Sequence, residues 1–131
     1  MLELLPPDHP LLRTPCRPDF VIDTGTIAEM FNFMLANNGL GLAAPQVGIN
    51  ARLFVTRWGE VFINPKIVRL VAPCTVYEGC LSLPGIERGL GRYHKITLAD
   101  DREYTAGRAI VIQHETDHLD GKLITSYDEI V

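Results

Sequence analysis

The residues best suited to chemistry in this chain lie near its end, in Gln113-His114-Glu115-Thr116-Asp117-His118, an H-E-x-x-H pattern. Residues four apart share one face of a helix, so His114 and His118 can aim their imidazoles at a single metal ion. Glu115 falls beside them and can take a proton from a water activated at that ion, which is the chemistry of metal-assisted hydrolysis. The plain alternative is two core or surface histidines that happen to be four apart. The apolar turn of Ala109, Ile110, Val111 and Ile112 before the pattern, and Leu119 after it, favour a largely buried helix, where ionisable groups need partners or a metal.

Two imidazoles do not complete a catalytic shell, which normally has three protein ligands and one open position. Beyond His118 the chain offers only Asp120, Asp128 and Glu129. Upstream, Cys80 stands in YEGCLSLPG, and its thiolate would make a His₂Cys site suited to zinc or ferrous iron. Cys16, in the proline-rich start, and Cys74, after Pro73, are poorer candidates. Cys80 as a plain buried hydrophobe stays open on spacing alone. A Cys80–histidine nucleophilic hydrolase is disfavoured because the same thiolate is better used on the metal. A third passage, GLGLAAPQVG at 39–48, has glycines that admit close backbone approach and, in Gln46, both a donor and an acceptor. It lacks the Rossmann and P-loop spacings, and a tight connection between elements explains it equally well.

The elements that must position these residues fit one α+β domain over residues 1–131. Pro6, Pro7, Pro10, Pro15 and Pro18 preclude a regular helix at the start. Residues 23–37 read as an amphipathic helix, capped by Thr24 or Thr26, with Ile27, Met30, Phe31, Met34 and Leu35 on one face. Short strands are expected within 51–71, in TVYEG and in HKITLAD, and a second helix over 105–120 ends at Gly121. Short antiparallel or mixed sheets would pack around that second helix. Apolar residues are 47% of the chain, enough for a core, and the net charge of −4 argues against direct DNA binding. Residues 30–51 carry no charge, but their asparagines, glycines and proline make a membrane span costly. The opening MLELLPPDHPLL lacks the basic n-region of a signal peptide, and three cysteines fit a reducing compartment, so a cytoplasmic location is expected.

Taken in order, GLGLAAPQ at 39–46, EGCLS at 78–82 and QHETDHLDG at 113–121 resemble the peptide deformylase family, as do INPKI at 63–67 and PDHPLLR at 7–13. The resemblance implies removal of the N-formyl group from the formyl-methionine of nascent polypeptides, with release of formate. It implies one divalent metal, Fe2+ in the cell with Zn2+ or Ni2+ as alternatives, held by Cys80, His114 and His118. Glu115 would be the general base, and Gln46 and the Leu81 N–H would bind the developing oxyanion. Leu40, Gly41, Ile110 and Val111, together with the face of His114, would contact substrate. Read from the residue alone, Arg88 would meet the peptide backbone or a carboxylate, or be a plain surface arginine. Glu78 would pair with Arg92 to hold the cysteine loop, and Asp117 would orient a ligand histidine or cap local backbone. Formylated peptide termini are the expected partners, with a transient ribosome contact and a monomeric protein; no DNA or membrane partner is expected.

Departures from the family pattern are expected to matter. The hairpin in HKITLADDREYTAGRAIVI is several residues shorter, so a tight turn should replace it, and the chain beyond Gly121 is also shorter. Gly107 stands where a bulky leucine often lines the side-chain pocket. That keeps open a metal-dependent amidase or peptidase of other acyl specificity; an inactive metal-stabilised binding protein is a further alternative, against which the intact Gln46, Cys80, His114, Glu115 and His118 weigh. His9 and His94 are expected at the surface, and Trp58 in packing.

Overall fold

The computed structural model describes residues 1–130. The proline-rich start forms no regular helix. It makes one 3-10 turn at Pro10–Arg13, entered through His9, whose ring nitrogen accepts from the Leu11 N–H at 3.1 Å. His9 is therefore a half-buried cap and not a free surface side chain, while His94 is exposed as expected. Helix α1 spans Thr24–Ala36. Asp23 caps it, accepting from the Thr26 N–H at 2.7 Å, because Thr24 and Thr26 already lie inside the first turn. Met30 and Met34 are fully buried and Ile27 and Phe31 partly so, but Leu35 is 48% exposed, which makes the apolar stripe narrower than its spacing implied.

Two three-stranded antiparallel sheets follow. The first orders β1 (Gly41–Ala43), β2 (Leu53–Thr56) and β3 (Val61–Ile63) in sequence. The second orders β4 (Ile67–Gly79), β5 (Glu87–Leu98) and β6 (Glu103–Thr105). The predicted pieces TVYEG and HKITL are only parts of β4 and β5, which pair along most of their lengths, and Ala99 and Asp100 fall in the turn after β5. Pro73 sits within β4 because β4 is an edge strand, where a missing N–H breaks no ladder bond. A tight turn joins β5 to β6: the Leu98 N–H donates to Arg102 O and the Asp101 N–H to Leu98 O, both at 2.9 Å. Trp58, in the β2–β3 turn, is 47% exposed and contributes little packing, contrary to expectation.

Strand β6 runs directly into helix α2, Ala106–Leu119, which packs on β1 and β2 of one sheet and on β5 and β6 of the other. Ala109, Ile112 and Leu119 bury one face of α2 against Phe54, Phe62 and Ile96, with the two phenylalanine rings stacked at 4.8 Å. Gln113 ties α2 to β5 from within, accepting from the Tyr93 N–H at 3.0 Å and donating to Tyr93 O at 2.7 Å. No helix among the described residues is long and apolar enough to cross a membrane.

The C-terminus of α2 is closed by contact with the first turn of the protein. Gly121 has φ +73°, and a Cβ there would lie 2.8 Å from backbone atoms of Arg13 and Thr14. Both the left-handed backbone and the overlap oppose a side chain. Gly121→Ala is expected to lower stability by about 2 kcal/mol or more, read from urea unfolding.

Candidate active site

Helix α2 carries two of the three side chains of a candidate ligand cluster, His114 and His118, and also Glu115 beside them. His114 and His118 stand one turn apart with ring centroids at 5.0 Å, and Cys80 reaches them from the turn that follows β4. That turn is fixed by the Leu83 N–H donating to Cys80 O at 3.0 Å. The Cys80 sulfur lies 3.4 Å from His118 Nε2, and one ligand atom from each of Cys80, His114 and His118 falls within 4.8 Å of the others. Donor atoms bound tetrahedrally at 2.0–2.3 Å would sit roughly 3.5 Å apart, so this trio fits a single divalent ion. Cys16 is buried beside the C-terminal end of α2, its N–H donating to Leu119 O at 2.8 Å, and Cys74 lies within β4; neither belongs to the cluster.

The orientation of His114 comes from Glu78. His114 Nδ1 lies 2.7 Å from Glu78 Oε1 and must carry the hydrogen, since the ionised carboxylate only accepts, which leaves Nε2 for the ligand cluster. Glu78 is 8% exposed and would be costly to bury alone. Arg92 meets it with two parallel bonds, Nε to Oε2 at 2.6 Å and Nη2 to Oε1 at 2.8 Å. Burial raises the Glu78 pKa, but the Arg92 and His114 bonds outweigh it and bring it down to about 2. The Asp117 carboxylate reaches Arg92 Nη1 at 2.6 Å and Tyr127 at 3.0 Å, and neither ligand histidine.

Burial disfavours a charged ring at both histidines. At His118, repulsion from His114 and Arg92 adds to it and the pKa falls well below the usual imidazole range, with Nδ1 buried and unpartnered. At His114 the Cys80 and Glu78 partners outweigh burial and raise the pKa. Glu115 is 4% exposed, and its Oε1 has no hydrogen-bond partner. Burial first, and then the charge of Glu78, push its pKa up to about 7 against the pull of His114 and Arg92. Its place requires a glycine opposite, because a Cβ on Gly41 would meet Glu115 Oε2 at 2.7 Å.

Gln46 lies in the short 3-10 turn Ala44–Val47 and is buried. Its Oε1 accepts from the Ala43 N–H and its Nε2 donates to Ser82 Oγ, both at 2.9 Å, with the Cys80 sulfur 3.7 Å from the same nitrogen. The amide is therefore held with its nitrogen toward the ligand cluster. Leu40, Gly41, Gln46, Leu81, Ile110 and Val111 all line the cavity of about 880 Å³ that contains Cys80, His114 and Glu115. Gly107 lines it too, with nothing within 4 Å of an added Cβ. Arg88 is half-buried on β5 and does not line the cavity. Ser82 and Tyr127 were not anticipated as members of this network. Ser82 sits two residues from Cys80, which is a usable signal, but nothing in linear spacing points Tyr127 at Asp117.

The depressed Glu78 pKa links the network to stability. Its contribution is full above the unfolded value near 4.5 and is lost as pH falls through about 2. In metal-free protein, the stability gap between the wild type and Glu78→Gln should therefore narrow as pH drops from about 4.5 toward about 2, measured by urea unfolding at a series of pH values.

Comparison with known proteins agrees with this geometry. Residues 1–129 match the family model described as polypeptide deformylase. The peptide deformylase of Azotobacter vinelandii is 39% identical over 97% of this chain and 86% of its own length. Peptide deformylase 1 of Clostridium perfringens is 38% identical over 92% and 93%. Among solved structures, the Thermotoga maritima peptide deformylase superposes with a TM-score of 0.88 at 33% identity, covering 100% of this chain and 98% of that one. The identity and coverage of these relatives, together with a family model that spans nearly the whole chain, place this protein in the polypeptide deformylase family.

Proposed function

We infer that the protein hydrolyses the N-formyl group of N-terminal formyl-methionine on nascent polypeptides, releasing formate and a free amine. The observation that carries this is the Cys80–His114–His118 cluster together with the buried, unpartnered Glu115 oxygen, with Cys80, His114 and Glu115 lining one largely apolar cavity. A divalent ion held by those three residues would supply Lewis-acid polarisation of the formyl oxygen and acidify a water. Every other step falls to side chains and backbone of the chain. With a pKa near 7, Glu115 can take a proton from the attacking water and return it to the departing amine as the C–N bond breaks. Gln46 Nε2, held by Ser82, and the Leu81 N–H are proposed to donate to the oxygen that gains negative charge. Leu40, Ile110 and Val111 would receive the methionine side chain by burial of apolar surface, and the Gly41 backbone would hold the peptide.

The cellular metal is proposed to be Fe2+, with Zn2+ or Ni2+ able to occupy the same donors. Residues 1–131 are proposed to act as one catalytic domain, a cytoplasmic monomer that meets emerging chains through a transient ribosome contact. A metal-dependent amidase of broader acyl specificity is the second reading, favoured by the open cavity wall at Gly107. Formate release from formyl-Met-Ala-Ser by anaerobically purified, iron-loaded protein, with the acetylated peptide unreacted, is the expected outcome. A fully metallated protein that releases no formate would sink the proposal, and cleavage of the acetyl peptide would favour the second reading. Glu115→Ala should retain its metal by elemental analysis yet lose at least about 10²-fold in rate, whereas Cys80→Ser should lose metal.

A further inference from the structure

A residue at the C-terminal end of the chain connects to the ligand cluster through an unbroken line of hydrogen bonds. Tyr127 donates to Asp117 Oδ2 at 3.0 Å, and the same oxygen accepts from Arg92 Nη1 at 2.6 Å. Arg92 grips both oxygens of Glu78, and Glu78 Oε1 accepts from His114 Nδ1 at 2.7 Å. The Tyr127 ring also lies with its centroid 5.8 Å from the Arg92 guanidinium carbon, within cation–π range. We propose that Tyr127 is a positioning residue for the metal centre, setting the Asp117–Arg92–Glu78 array that orients His114 and thereby tuning metal affinity. This rests on the assignment of His114 as a ligand in the proposed function.

Four features make Tyr127 a built part of the array. Glu78 and Arg92 are 8% and 6% exposed, so the buried pair cannot readily exchange its partners for water. Asp117 is the only partner that holds the remaining Arg92 nitrogen among the described residues, and Tyr127 is the neutral donor that shares its carboxylate. Burial and the adjoining Asp117 charge push the phenol up to about 12, so it stays a donor at neutral pH. The segment is pinned in place, because the Ile130 N–H donates to Gly89 O at 2.8 Å on β5. A Cβ at Gly89 would run into the Ile130 carbonyl oxygen, so this anchor requires glycine.

The test measures zinc affinity of the full chain at pH 7 by chelator competition, a readout independent of turnover. Tyr127→Phe keeps the ring and removes the donor, and it should raise the zinc Kd about threefold to tenfold. In a Glu78→Gln background, where the line to His114 is altered, the same change should have no further effect. Gly89→Ala, which lifts the tail, should weaken zinc binding when Tyr127 is present and not in Tyr127→Phe. An unchanged Kd in Tyr127→Phe, or equal effects in the paired backgrounds, would overturn the proposal. Failure of the wild type to release formate would instead strike at the proposed reaction, because zinc affinity is measured without substrate and decides the role of Tyr127 separately.

Discussion

Everything in the site depends on the double hydrogen bond between Arg92 and Glu78. A helix with two ligand histidines is useful only if each imidazole presents a fixed nitrogen, and for His114 that choice is made by Glu78 on the other nitrogen. A carboxylate buried to that degree would cost several kcal/mol without a partner, and Arg92 supplies the partner from the neighbouring strand. β4 and β5 are adjacent strands of one sheet, with Arg92 opposite Cys74 and Glu78 opposite Arg88, so the two meet through the reach of their long side chains along the paired strands. The sheet that carries Cys80 at the end of β4 is thus also the sheet that orients the histidine facing it.

The same burial that gives the site its geometry sets the reactivity of Glu115. In water its carboxyl would be fully ionised at neutral pH and a weak base; packed beside β1, with Glu78 near, it sits close to neutrality. The room for it exists only because residue 41 has no side chain. An unpartnered buried oxygen is a liability for stability, and here it coincides with the place where proton transfer is needed. Gln46 is the contrasting case: both ends of its amide are tied, so its nitrogen is aimed at the cluster before substrate arrives.

Much of this was legible in the linear chain. Residues 105–120 announce a helix through apolar periodicity and a terminal glycine, and α2 follows within a residue at each end. The shortened hairpin reads as a tight turn, and Leu98 to Arg102 form one. Other expectations failed for local physical reasons. Thr24 lost the cap to Asp23, whose carboxylate stands one position outside the helix and accepts more strongly. Leu35, counted on the apolar face by spacing, is 48% exposed.

The sequence by itself determined the chemistry: two histidines at helical spacing, a glutamate between them, and a thiol set among glycines. Side-chain type and the 3.6-residue period are local properties, and they can be read without knowing what lies opposite. Only the tertiary structure decided how that chemistry is held. Which nitrogen of His114 faces the cluster, why position 41 must be glycine, where the Asp117 carboxylate goes and how Tyr127 enters the network all depend on residues 10 to 74 positions apart in the chain. Such contacts arise when strands pair and a helix docks on them, and no local rule of spacing encodes which side chains then meet.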